Sequence, residues 1–319
     1  MASPNYSDIV STTLRHRTPK LVDNVTANNA LLARLKSRGK LRLVGGGQEI
    51  VEPLAYQENQ TYKRYSGYET LDISPSDVIT AAKYDWKQVA VAVTASGLEL
   101  LQNSGKEQII DLLEGRIEVA ENTLMNKMSE DIYSDGTATN QINGLQALVA
   151  DTNTNEVGGI DGNTWSFWRN YVREAAGTLS ASTVQGEFND VYVNITRGAD
   201  HPDLIVCDNN IFKFYLASLQ DIQRIQDPNL GQLGFQTLKF MQADVVLDGG
   251  YGGSAPATHA YFLNTKYLRF TSHRDRNFVP IGDEREPVNQ DAMIKLIGWA
   301  GNLCCSNRFL QGVLKDASA

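Results

Sequence analysis

Cysteine is scarce in this chain. Three occur in 319 residues, Cys207, Cys304 and Cys305, with one adjacent pair and no C-x-x-C spacing. An odd count of this kind excludes a disulfide framework and fits a reducing compartment or packed thiols. Histidine is nearly as rare: His16, His201, His259 and His273 are the four, and none has a ligand at H-E-x-x-H-like spacing. Long apolar runs are missing too. No stretch reaches the ~18 residues that a membrane span needs. The first eight residues lack a basic-then-apolar leader, so synthesis in a cytoplasm is expected. Asn-x-Ser/Thr triplets such as Asn24-Val25-Thr26 then carry no glycosylation meaning.

The usual catalytic signatures are absent or incomplete. There is no Gly-x-Ser-x-Gly, the commonest hydrolase signal. Gly45-Gly46-Gly47 is not followed by Gly-Lys-Ser/Thr and does not make a phosphate loop. His273-Arg274-Asp275 copies three letters of the kinase catalytic loop, but the asparagine, the glycine-rich loop and Asp-Phe-Gly are missing. Asp248-Gly249-Gly250-Tyr251-Gly252-Gly253 reads as a turn rather than a dinucleotide site, because no helix-forming residues follow it. Asp151, Glu156 and Asp161 lack the 12-residue calcium-loop pattern. A Cys207–His pair is conceivable in space, but buried thiols are commoner than reactive ones. No catalytic, cofactor-binding or metal-ligating residue is therefore assigned, and the chain is not expected to be an enzyme.

What is present is an ordinary balance of 42% hydrophobic and 21% charged residues, enough for one large domain or two. Charge is uneven. The net value is −8. Residues 1–47 hold eight Lys/Arg against two Asp/Glu, which leaves the remainder with 21 against 35. A basic start and an acidic body attract each other, within a chain or between chains.

The most regular stretch is 104–133. Ser104 and Glu107 have capping-box spacing, no proline interrupts, and Asp135-Gly136 is a normal helix exit. Ile110, Leu113, Ile117, Ala120, Leu124 and Met128 recur at three- and four-residue steps, one face of a helix about 45 Å long. Beside that stripe run Glu107, Asp111, Glu114 and Glu118, which repel one another at this spacing. Gly115 weakens the helix further. Local propensity does not explain such length, so the helix is a spine on which other segments are laid.

Before the spine, residues 1–30 read as a polar arm, followed by a short helix over 29–37 with Leu31, Leu32 and Leu35 on one side. Arg34, Lys36, Arg38, Lys40 and Arg42 form a basic run. It is a solvated face, or a strap across a neighbour's acidic surface, or a nucleic-acid contact. The last lacks aromatics for base stacking. Residues 50–56 read as one strand and 78–93 as another. Between them lies a polar, tyrosine-rich tip with Tyr62, Lys63, Tyr65 and Tyr68. Such a hairpin has too few apolar groups to stand alone. It is an ordinary surface loop or an arm that clasps another subunit.

After the spine, 164–176 and 184–195 look helical, 204–207 is a buried strand, 209–224 a helix and 238–247 strand-like. This is an α/β segment. From residue 260 the pattern turns to strands again, at 261–263, 267–270 and 292–314.

The order of pieces resembles the major capsid protein of tailed bacteriophages, the Hong Kong 97-type fold. Local stretches resemble phage capsid sequences as well: Tyr84-Asp85-Trp86-Lys87-Gln88 before Ser96-Gly97, Tyr133-Ser134-Asp135-Gly136, Gln141-Ile142-Asn143-Gly144-Leu145-Gln146, Gly158-Gly159-Ile160-Asp161 with residues 165–170, and Trp299-Ala300-Gly301-Asn302-Leu303. The resemblance implies an α+β protein in four parts: an N-terminal arm (1–48), an extended β-hairpin loop (49–95), a peripheral domain with the spine helix (96–140 and 255–319) and an axial domain (141–254). It implies a structural subunit that assembles with itself into hexamers and pentamers of an icosahedral head enclosing the genome. The setting would be the virion, with assembly in the host bacterial cytoplasm and no membrane. A separate scaffolding protein, or a shell that needs none, a portal and a decoration protein are the further partners it implies, with non-specific proximity to packaged DNA. The acidic body would keep that DNA from sticking, since phosphate affinity comes from Lys/Arg. A nanocompartment shell of the encapsulin type is the alternative; a soluble α/β enzyme is a third reading. The expected intersubunit contacts are the basic run Arg34, Lys36, Arg38, Lys40 and Arg42 against a neighbour's Glu107, Asp111, Glu114 and Glu118, together with the tip residues Tyr62, Lys63, Tyr65 and Tyr68.

Overall fold

The computed structural model describes residues 29–102, 106–219, 237–248, 255–282 and 291–316, with side chains 100–114 outside that description. The Ser104–Glu107 capping box, the arm before residue 29, residues 220–224 and the glycines at 249–253 lie outside the described residues.

The chain starts with helix α1 (Ala30–Ser37), where the Asn29 side chain accepts hydrogen bonds from the Leu31 and Leu32 amides at 3.0 and 3.1 Å. The Leu31, Leu32 and Leu35 stripe is legible in sequence, but Ala30, Ala33 and Arg34 are buried as well. A helix covered on nearly every side is part of a core, not of an arm. Strand β1 (Leu41–Val44) follows, then β2 (Ile50–Ala55) and β3 (Ile79–Tyr84), paired antiparallel from Ile50↔Tyr84 to Ala55↔Ile79. Strand β4 (Lys87–Ser96) leaves this hairpin and joins a different sheet. The single strand expected over 78–93 is thus two strands. The chain turns at Asp85-Trp86 because Asn302 Nδ2 donates to the Asp85 carbonyl and Trp86 Nε1 to the Gly47 carbonyl, both at 2.9 Å.

Helices α2 (Gly97–Gln102) and α3 (Lys106–Ile132) come next. The 27-residue α3 is the spine, ~40 Å long at 1.5 Å per residue. Ile117, Ala120, Leu124, Met128 and Ile132 are buried on it, the stripe read from the sequence. After α4 (Leu145–Leu148), β5 (Glu156–Val157) and β6 (Ile160–Asp161) turn through Gly158 and Gly159, both at positive φ. The helix expected over 164–176 is a 3₁₀ turn (Ser166–Trp168) and a strand, β7 (Tyr171–Glu174). Its backbone finds a parallel partner at residues 312–315, and that pairing overrides local preference. Then follow α5 (Val184–Asn194), β8 (Leu204–Cys207), α6 (Asn209–Ser218), β9 (Thr237–Phe240), β10 (Ala243–Leu247), β11 (His259–Leu263), β12 (Leu268–Pro280), β13 (Ala292–Cys305) and β14 (Gly312–Lys315).

Two sheets organise these elements. One has the order β1-β12-β13-β4, the other β7-β14-β11-β8-β10-β9. Strand β8 is buried on both sides: Leu204 and Val206 face a core shared with the spine, α1 and the hairpin base, while Ile205 and Cys207 face the core under α5 and α6. A continuous apolar run is the sequence mark of such a strand. The boundary drawn at residue 254 passes through this sheet, because β11 and β14 from the C-terminal part complete it beside β8 and β7. Hydrogen-bonded ladders between distant segments leave no sequence signal at the place where they cross.

Candidate assembly surface

The hairpin has a buried base and a bare tip. On β2 the inward positions are Ile50, Glu52 and Leu54; on β3 they are Ala82 and Tyr84. Tyr84 is pinned twice: its hydroxyl donates to the Cys305 carbonyl at 2.8 Å and accepts from the Cys305 amide at 3.2 Å. Burial pushes its phenol well above the usual range, so it stays protonated. The Lys83 amide donates to the Gly158 carbonyl at 2.9 Å, and a Cβ on Gly158 would stand 3.0 Å from that of Ala82. Beyond residue 56 cover is lost. Tyr62, Tyr65, Tyr68, Leu71 and Ile73 are exposed, Ile73 to 92%. Lys63 is held locally, 3.1 Å from Glu69 and 3.2 Å from the Thr70 carbonyl. Exposed aromatic and aliphatic groups clustered on a projecting segment mark a contact surface.

At the foot of the tip, Tyr56 meets Phe167 and Trp165 at ring distances of 5.5 and 5.9 Å. A cleft of ≈ 210 Å³ lies on one side of this cluster, with Phe309 at its rim. Elsewhere β4 is the edge of its sheet, and a groove of ≈ 940 Å³ runs between β4 and the spine past Gly115, Arg116, Val119 and Ala120. Val119 is exposed there, while Arg116 donates to Glu99 at 2.6 Å and to the Thr94 carbonyl. The Arg116 hydrogen bond, with two from Ser96, draws the Glu99 carboxyl down to about 2.

The basic run takes a different part from the one expected of it. Arg34 is buried, its guanidinium 3.4 Å from Asp203 and 3.0 Å from Asp244, and it donates to the Asp203 carbonyl at 3.2 Å. Arg38 lies 3.3 Å from Asp203, and Arg42 3.1 Å from Glu52. These three arginines meet carboxylates of their own chain. The reason is that Asp244 and Glu52 are 1% exposed, and buried carboxylates require counter-charge. Lys36 is exposed and Lys40 half-buried at the mouth of a cleft with Asp200, His201 and Lys266. Glu118 is exposed on the spine; Glu107, Asp111 and Glu114 fall among the side chains outside the description. Sequence reasoning missed Glu52, whose signal was a carboxylate on the apolar face of an alternating strand.

The cysteines, histidines and loop carboxylates have structural partners. All three cysteines are buried, and desolvation pushes Cys304 and Cys305 up to about 12 and Cys207 higher, so none is a thiolate at neutral pH. His259 bonds Asp151 at 3.0 Å, and Asp161 accepts from Thr164 and the Asn163 amide. His273 lies at a break in the β12–β13 register and carries the Trp86 ring against it at 5.4 Å. Among the described residues there is no group of three His, Cys, Asp or Glu placed to hold a metal, and no helix long and apolar enough to cross a membrane.

A spine helix, a four-stranded sheet, a hairpin and a second mixed sheet make an α+β protein. The fold is the Hong Kong 97-type fold of tailed-phage capsid proteins. The chain is similar to a structure of the cyanophage A-1(L) capsid asymmetric unit, with a TM-score of 0.66 and 16% identity over 89% of this chain and 92% of that one. It is similar to a Mycobacterium phage Bobi structure (TM-score 0.53, 12% identity, 88% and 90% covered). The holo-SrpI encapsulin complex of Synechococcus elongatus PCC 7942 shares the fold at a TM-score of 0.50 and 9% identity, with 88% and 86% covered. No family model and no curated relative matches the chain.

Proposed function

We propose that this chain is the major shell subunit of a bacteriophage head. The observation that carries the reading is the hairpin: a base locked into the core and a tip, residues 57–78, whose tyrosines and Ile73 are exposed among the described residues. The likeness to the cyanophage capsid along nearly the whole of both chains supports it. Copies placed around rotation axes cover one another's tips by heterologous contacts, and such contacts close into hexamers, pentamers and a shell. The groove between β4 and the spine is the natural seat, being open, lined by small residues and bounded by an unpaired strand edge. The protein works as a scaffold for the genome, not as a catalyst. Its location is the virion, and its assembly takes place in the host cytoplasm with a separate scaffolding protein, a portal and a decoration protein. In this reading the axial sheet includes β11 and β14, and α1 belongs with the core rather than with the arm.

The test is electron microscopy of the concentrated protein, with scaffolding protein added. Closed shells or capsomer rings are expected. A monodisperse monomer under every assembly condition overturns the reading. A chain lacking residues 58–70 should remain a folded monomer and form no closed shell. The encapsulin likeness supports a second reading, and shells that enclose an enzyme rather than nucleic acid would favour it.

A further inference from the structure

Hairpin β2–β3 forms a sheet of its own and shares no ladder with the four-stranded sheet beneath it. Among the described residues its angle to the body is therefore set at its base by side chains and by the Lys83–Gly158 backbone bond. One of these contacts is unlike the rest. Glu52 points inward between Ile50 and Leu54, and its side chain is 1% exposed. One carboxylate oxygen accepts from Arg42 of β1 at 3.1 Å, the other from Arg269 of β12 at 2.7 Å. Arg42 and Arg269 come from adjacent strands of the four-stranded sheet, paired in parallel from Leu41↔Phe270. A single carboxylate thus ties the hairpin to two strands at once.

The apolar contacts around it hold the base but do not fix its rotation, since dispersion is weakly directional. Directional bonds do fix it: on β3 the Tyr84 hydroxyl bonds the Cys305 backbone twice, and on β2 Glu52 takes two charge-assisted hydrogen bonds from fixed strands. A buried ion pair adds little to stability against an apolar isostere, and its best-attested use is to select one arrangement from several. The tip magnifies any error. About eleven residues on each limb lie beyond Tyr56 and span at most ~40 Å when extended.

We propose that Glu52 is the positioning residue of the hairpin: clamped between Arg42 and Arg269, it sets the angle at which residues 57–78 leave the body, and so the curvature with which one copy meets the next. The proposal rests on the shell reading. Its test uses the full-length chain with Glu52→Met and, separately, Arg42→Ala. The arginines that remain are partly exposed and can rehydrate. Glu52→Met is therefore expected to keep the far-ultraviolet spectrum and melting temperature of the unassembled subunit. Its particles are expected to lose the single diameter of the wild type and give mixed sizes and open sheets by electron microscopy. Arg42→Ala, which leaves Arg269 in place, should broaden the distribution less. Glu52→Met shells of uniform wild-type diameter overturn the proposal. So does a Glu52→Met subunit that is destabilised yet still assembles uniformly. Absence of wild-type shells in the same experiment would instead count against the shell reading itself.

Discussion

Replacing Asp248 by asparagine should stabilise the subunit at neutral pH and remove part of its pH dependence. Asp248 follows β10 and is 8% exposed. Its carboxylate accepts from the Tyr133 hydroxyl at the end of the spine and from the Ala30 amide at the start of α1. Asn29, next to it, donates to Ser129 of the spine at 3.1 Å. Burial raises the Asp248 carboxyl from 3.8 to about 6, against the pull of the two hydrogen bonds. The folded state thus holds the proton more tightly than the unfolded chain. The associated stability is fully present below the unfolded value near 4 and is lost as pH rises through about 6. A difference of about two units corresponds to about 3 kcal/mol, the upper limit of what the ionised form costs above pH 7. Asparagine stays neutral and can still accept one of the two bonds. Urea midpoints of the unassembled subunit, wild type and Asp248→Asn, should be compared from pH 4 to 8. Other carboxylates titrate in both proteins, so the difference between the two curves is the quantity of interest. It should grow in favour of the variant through pH 4–6 and level off above 7. A difference that is flat with pH would refute the reasoning.

Two further outcomes follow from the same geometry. Arg34→Ala removes one cation from each of Asp203 and Asp244, which keep Arg38 at 3.3 Å and Lys239 at 2.8 Å, and should cost about 1.5–3 kcal/mol in a urea unfolding series, whether or not shells form. An exposed interface arginine would cost far less, so a loss under 1 kcal/mol would return Arg34 to the surface. A disulfide reagent should find no reactive thiol in the native protein and three in denaturant, since the cysteines are buried and protonated.

Much of the architecture was legible where residues close in sequence carry the signal. The spine stripe, the Leu31, Leu32 and Leu35 face of α1, and the all-apolar Leu204–Cys207 strand are local patterns of period 3.6 or of length. The failures are non-local. Nothing near Tyr171 announces that its strand will pair with Gly312, and nothing near residue 254 announces that β11 lies beside β8. Of the basic run, Arg34, Arg38 and Arg42 meet carboxylates of their own chain. Its partners were placed on another copy because Asp203 stands 169 positions from Arg34, beyond what periodicity can see. The hairpin divided the same way. Its base was assigned with the tip to one limb, yet alternation at Ile50, Glu52 and Leu54 already marked a face turned inward.

The placement of α1 has a consequence for biosynthesis. The surfaces that receive this helix, around Asp203, Asp244 and the start of β12, are translated some 170–240 residues after it. At about 5–20 residues per second, Leu31, Leu32 and Leu35 wait roughly ten seconds or more without cover. During that interval the nascent chain presents a short greasy segment flanked by positive charge, the kind of surface that a trigger-type chaperone shields. Translation speed and chaperone supply therefore bear on how many copies fold intact.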